Sequence, residues 1–207
     1  MSTTTTSREL TNEIISSFRA SRFGEANENR EKAILHLEKS GLPEQKHEEY
    51  RFIPITKSIE KNFTWNNEVS PIRIDSIQDF LITGLDANLL VFINGSFSKS
   101  FSKIISPESE VKVKTLYDAF QTERSTVDKY FDKLVSSEGD SYAALNTALW
   151  QEGIFIHVPE NTVVEKPFFV LHIHDANQTQ VIAHTRILAV VEKNSTLSVI
   201  EKFDSIG

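Results

Sequence analysis

Cysteine is missing from all 207 residues, and the only methionine is Met1. The first absence excludes disulfides, thiolate nucleophiles, zinc–thiolate sites and thiolate-held iron–sulfur clusters within these residues. Glycine is scarce, at seven residues. Neither G-x-G-x-x-G nor G-x-x-x-x-G-K-[ST] occurs, so no phosphate-cradling loop is expected. G-x-S-x-G is missing too, which leaves a serine-hydrolase triad without an anchor. No apolar run reaches the roughly 18 residues of a membrane span. The start, Met1-Ser2-Thr3-Thr4-Thr5-Thr6-Ser7, has neither a basic nor an apolar segment, so no secretory leader is expected. Acidic residues outnumber basic ones by 29 to 22, without a Lys/Arg cluster, which argues against a nucleic-acid partner. The expectation is a soluble cytoplasmic protein that binds neither nucleic acid nor membrane.

What is present suffices for a packed core: 39% of residues are hydrophobic, and 14 are phenylalanine. The N-terminal region reads as helical. Thr6 and Glu9 have capping-box spacing, and Leu10, Ile14 and Phe18 fall on one helical face. A second helix is predicted over Asn29–Ser40, with Ala33, Ile34 and Leu37 inward, Gly41 as its stop and Pro43 beyond. A short helix is expected near Ser58–Phe63. Leu89–Ile93, Asn94-Gly95 and Ser96–Phe101 spell a β-hairpin, because both turn residues need positive φ. Val111 and Val113 suggest another strand. Ser125 with Asp128 is a candidate cap for a helix carrying Val127 and Phe131, and a further helix is expected over Tyr142–Trp150. After Gly153 the pattern is all β, with strands predicted at Ile154–Val158, Phe168–His174, Val181–Val191 and Thr196–Phe203. A sandwich, a barrel or a solenoid accommodates these, and no repeat of fixed length stands out. Three regions are expected: a helical region and connector over 1–66, a mixed region over 67–150, and a β core over 151–207.

Candidate chemistry is thin. His172 and His174 lie two apart on one strand, so their rings share a face and can share a metal, with His184 as a third ligand from a neighbouring strand. A cupin-type metal site would also need a glycine and a glutamate where Lys166, Gln178 and Thr179 stand, so these histidines read better as polar strand residues. Glu165-Lys166 is better explained as a solvated loop pair than as acid/base or Schiff-base chemistry. Asp118, Glu123 and Asp128 read as helix surface. No catalytic, cofactor-binding or metal-ligating residue is assigned. A carbohydrate-binding solenoid with phenylalanine platforms is a minor reading.

Two segments carry a resemblance. Leu145-Asn146-Thr147-Ala148-Leu149, Glu152-Gly153, Val158-Pro159 and Val164-Glu165-Lys166-Pro167 resemble the "LNTAL", "DG", "VP" and "VEKP" elements of the SufB/SufD family of iron–sulfur cluster assembly proteins, with Glu152 where that family has aspartate. Gly41-Leu42-Pro43 with Glu48-Glu49-Tyr50-Arg51-Phe52 is similar to that family's "GLPT…EEWRYT", with Tyr50 and Phe52 in place of tryptophan and tyrosine. The run from His184 to Glu201 also resembles the family's successive β rungs. The helical start and the Gly41-Leu42-Pro43 element point to the SufD branch. The resemblance implies a mixed α/β fold: an N-terminal helical domain, then a right-handed parallel β-helix of which only the first part is present. It implies a non-enzymatic role in iron–sulfur cluster assembly, in a scaffold complex with SufB and the SufC ATPase. No cofactor is expected in this chain itself, the cluster being handled by the complex. The alternative function is a metal-dependent β-fold enzyme using His172, His174 and His184. A β-helix cut after its first rungs leaves an unpaired edge, so self-association through the last strand is also expected.

Overall fold

A computed structural model describes residues 7–19, 28–43, 48–50, 52–62, 74–175 and 182–206. The expected cap at Thr6, the strand start at Val181, and His47, Arg51, Gln178 and Thr179 lie outside the described residues. In chain order the main elements are α1 (Ser7–Arg19), α2 (Glu28–Ser40), α3 (Ile55–Asn62), β1 (Asn88–Ile93), β2 (Ser96–Phe97) and β3 (Lys112–Thr115). There follow α4 (Leu116–Thr122), α5 (Arg124–Tyr130), α6 (Ser141–Leu149), β4 (Glu152–Val158), β5 (Phe168–Asp175), β6 (Thr185–Val191) and β7 (Val199–Ile206). The fold is mixed α/β, with no closed barrel among the described residues. None of the described helices is long and apolar enough to cross a membrane.

The chain divides into two compact units, the first comprising Met1–Val69, Asp132–Trp150 and Gln180–His184. This unit is helical. Ile14 and Ile15 of α1, Ala33, Ile34 and Leu37 of α2, Ile59 of α3, and Leu145 and Leu149 of α6 form one buried cluster. The steps of three and four residues from Ala33 and Ile34 to Leu37 and from Leu145 to Leu149 keep those side chains on one helical face. Gly41 stops α2 as its spacing predicts: its φ is +69° and its N–H bonds the Leu37 carbonyl at 2.7 Å. Helix α3 starts at Ile55, earlier than the predicted Ser58, because the Pro54 carbonyl already accepts from the Ser58 N–H. Asp140 caps α6 by accepting from the Tyr142 and Ala143 N–H groups.

The second unit comprises Ser70–Phe131, Gln151–Thr179 and Thr185–Gly207. The expected hairpin is there, with Asn94 and Gly95 both left-handed (φ +46° and +84°). Its second strand is shorter than predicted. The Ser102 hydroxyl and N–H both bond the Ser98 carbonyl, and this local turn replaces further ladder. The helix cap expected at Ser125 does not form: α5 begins at Arg124 with no side-chain cap. Thr115 caps α4 instead, accepting from the Asp118 N–H.

Two sheets organise this unit, with strand orders β2-β1-β5-β7 and β3-β4-β6. β1 and β2 pair antiparallel, as do β3 and β4, while β1–β5, β5–β7 and β4–β6 are parallel. From β4 onward the chain therefore alternates between sheets, β4 and β6 in one and β5 and β7 in the other. The corners repeat as well. Asn161 and Asn194, 33 positions apart, are both left-handed, and the Asn194 amide donates to the Asn161 side-chain oxygen at 3.0 Å. The paired strands are offset by 33 residues for β4 and β6 (Glu152 against Thr185) and by 31 for β5 and β7 (Phe168 against Val199), so the spacing is similar and not fixed, as expected.

Phe92, Phe168, Ile154, Ile156, Val158 and Val170 pack together as one core cluster. The opposite face of β1 and β5 (Val91, Phe169, Leu171, Ile173) is covered by residues of the 74–87 segment such as Ile77. Burial on both faces explains the unbroken apolar run at the start of β5. Each fully buried phenylalanine adds roughly 1.5–3 kcal/mol.

Gly153 is a steric requirement of the β4–β6 pairing. A Cβ there would stand 2.4 Å from both the Arg186 carbonyl oxygen and Leu116 Cδ1, whereas one at Gly139 would meet nothing within 4 Å. Gly153→Ala is expected to lower unfolding free energy by about 1–3 kcal/mol, and Gly139→Ala by less than about 0.5 kcal/mol. Urea denaturation of both variants checks this.

Candidate functional site

In the helical unit, the two stretches that carried the resemblance meet. Leu42 is buried in the helical core. The Pro43 carbonyl accepts from the Thr56 hydroxyl at 2.7 Å, and that hydroxyl lies 2.8 Å from the Tyr142 hydroxyl on α6. Tyr50 donates to Asp140 Oδ1 at 3.1 Å, on the same carboxylate that caps α6. The Tyr50 and Tyr142 rings pack edge to face, 4.9 Å apart. Arg30 of α2 lies over the Trp150 ring at 5.0 Å and donates to the Trp150 carbonyl at 3.0 Å, holding the end of α6. The region around Gly41-Leu42-Pro43 and Tyr50 is therefore clamped onto the "LNTAL" helix. Phe52 is 86% exposed.

In the β unit, the candidate histidines have structural surroundings. His172 is 3% exposed. Its ring is stacked between Phe92 of β1 (centroids 5.1 Å) and Phe203 of β7 (4.4 Å), nearly parallel to both. Its Nε2 lies 2.8 Å from Glu201 Oε1. Burial pulls its pKa down against the opposing pull of Glu201. His174 is half-buried on the same strand, and burial, then the His172 charge, lower its pKa too. His184 belongs to the helical unit and precedes β6 rather than lying on it. Among the described residues no group of three or more His, Asp or Glu could hold a metal. His157 instead faces Glu192, with Nε2 3.2 Å from Oε1.

The other candidates are engaged with neighbours. Lys166 pairs with Asp86, whose hydrogen bond raises the lysine pKa, the opposite of what an amine nucleophile needs. Glu123 pairs with Lys114 at 2.7 Å, which lowers its pKa, and Asp128 pairs with Arg124 at 2.8 Å. Asp128 is exposed on α5 as expected, whereas Glu123 is a partly buried residue at the junction of α4 and α5.

The ends of the two sheets offer an exposed face. β6 and β7 are the last strands of their sheets. Phe203, stacked on His172, is 65% exposed, and Val191 and Val199 are exposed beside the same strands. Sequence reasoning missed this layering. The signal for it was Asn161-Thr162 against Asn194-Ser195, whose Thr162 N–H and Ser195 hydroxyl bond across the corner at 3.0 Å.

The profile of the SufBD protein N-terminal region matches residues 1–170. The chain belongs to the SufBD family. Among its relatives, an iron–sulfur cluster assembly SufBD family protein of Synechocystis is 23% identical over 166 residues, which are 80% of this chain and 36% of that protein. The iron–sulfur cluster assembly protein SufD of Bacillus subtilis is 35% identical over 80 residues, 38% of this chain and 18% of its own length. A SufBD family protein of Staphylococcus aureus is 28% identical over 97 residues, covering 45% of this chain and 20% of the relative. The matched region of this SufBD chain thus spans about a third or less of each relative.

The clamp gives a direct test. Asp140→Ala removes both the cap of α6 and the Tyr50 acceptor and should cost about 1–2 kcal/mol. Tyr50→Phe removes only the latter, so its cost should be smaller. Chemical denaturation of the two variants measures the difference.

Proposed function

We propose that this SufBD-family chain works in iron–sulfur cluster assembly as a SufD-like, non-catalytic component, binding a SufB-type partner and a SufC-type ATPase in the cytoplasm. Family membership over residues 1–170 is the observation that carries the reading, and the names of the relatives give it its direction. These 207 residues contain no cysteine, so they supply no thiolate to any cluster the complex builds. The cluster is cargo of the complex.

The same reading takes the alternating β4, β5, β6 and β7 as early rungs of a right-handed parallel β-helix. Three features support it: the two parallel ladders, the stacked Asn161–Asn194 corner, and the Phe92–His172–Phe203 column. A β-helix presents broad flat faces and sheet ends, which suit it to holding partners rather than enclosing a substrate.

Co-expression of the tagged chain with SufB and SufC homologues should yield one particle containing all three on affinity and size-exclusion chromatography. Separate elution of the chain would overturn the assignment. In the same preparation the isolated chain, tag removed, should carry less than about 0.1 equivalent of zinc or iron by elemental analysis, whereas the metal-enzyme reading requires about one.

A further inference from the structure

We propose that His172 is a proton-operated latch for β7. As the neutral imidazole it lies flat between Phe92 and Phe203 and ties Glu201 across the ladder, and taking up a proton loosens β7 from β5. The geometry singles this residue out. His172 is the one histidine of the β5 run placed directly between aromatic rings of both neighbouring strands, with Phe92, His172 and Phe203 in register on β1, β5 and β7. It is 3% exposed, so a proton on the ring has almost no water to solvate it. The groups facing it are few. β7 supplies Glu201, and β5 itself supplies His174, whose charge would add repulsion. β1 carries no titratable residue between Asn88 and Ile93. β4 supplies Glu152, whose carboxylate is bonded to the Phe97 N–H beside Phe92. Lys202 and Asp204 alternate to the other face of β7 and pair with each other at 2.9 Å.

Glu201 and the faces of the two phenyl rings favour the protonated ring, and burial disfavours it. Burial is the larger influence, and the histidine pKa is lowered in the folded chain. With a lowered folded pKa, the attachment of β7 is fully supported above the unfolded histidine value of about 6.5 and weakens as pH falls below it.

Hydrogen exchange on the full chain tests this. Between about pH 7.5 and about pH 5, protection factors of the β7 amides that bond β5 should fall about tenfold further than those between β1 and β5. His172→Phe, which keeps an aromatic ring in the column, should abolish the extra loss. Glu201→Gln, at a half-exposed position, should enlarge it, because the carboxylate that favours the proton is gone. The latch is overturned by any of three results: equal loss at β1 and β7, an extra loss that persists in His172→Phe, or β7 protection that rises in acid. If His172→Phe does not fold, Glu201→Gln decides alone, since an extra loss that shrinks there would originate in the carboxylate rather than the ring.

Discussion

Two strands can run parallel in one sheet only if the chain leaves the sheet between them and returns on the same side. For the β4–β6 and β5–β7 pairs the excursion passes through a strand of the other sheet, whereas α4, α5 and α6 lie between the parallel β1 and β5. β4 leads through the Asn161 corner to β5 in the other sheet, and β6 leads through the Asn194 corner to β7. Each strand thereby serves as the return path for the pair in the opposite sheet. The rest of the β unit follows from this arrangement. Like positions stack, so Phe92, His172 and Phe203 form a column, and Asn161 and Asn194 a corner ladder. The β4 and β6 backbones approach closely enough that position 153 has no room for a side chain.

Much of the local structure was legible because its causes are local. Asn94-Gly95 needs only two left-handed residues, and Gly41 needs only one. The failed cap at Ser125 shows where local reasoning stops. Thr115 and Ser125 each have an aspartate three residues on, yet only Thr115 caps. It leaves β3 in an extended conformation (φ −63°, ψ 152°) that points its hydroxyl back at the helix. Around Glu123 the chain is still ending α4, with its N–H bonded to the Ala119 carbonyl, so α5 begins without an extended residue ahead of it.

Pairing partners were not legible, since a period of two fixes the face of a side chain and not its neighbour. For the same reason His172 and His174 read as polar strand residues, with His184 placed on a neighbouring strand. The unbroken run Phe168-Phe169-Val170-Leu171 held the contrary information: a strand apolar on both faces is buried on both, and a histidine continuing it is an interior residue. In the helical unit, by contrast, the resembling segments had been recognised only as strings. Their meeting through Thr56, Tyr142, Tyr50 and Asp140 gives a physical reason for keeping both in one protein.

The corner ladder carries a consequence for how the chain acquires its shape. Thr196 N–H bonds the Thr162 carbonyl, Val164 N–H bonds the Thr196 carbonyl, and Phe168 N–H bonds the Ser198 carbonyl. The second corner has no internal hydrogen-bonding scheme comparable to a hairpin, because its partners lie in the first. The dependence runs both ways, because Asn161, Thr162, Val164 and Phe168 donate their N–H groups to Lys193, Ser195, Thr196 and Ser198. A chain cut before Lys193 would leave those four donors to water.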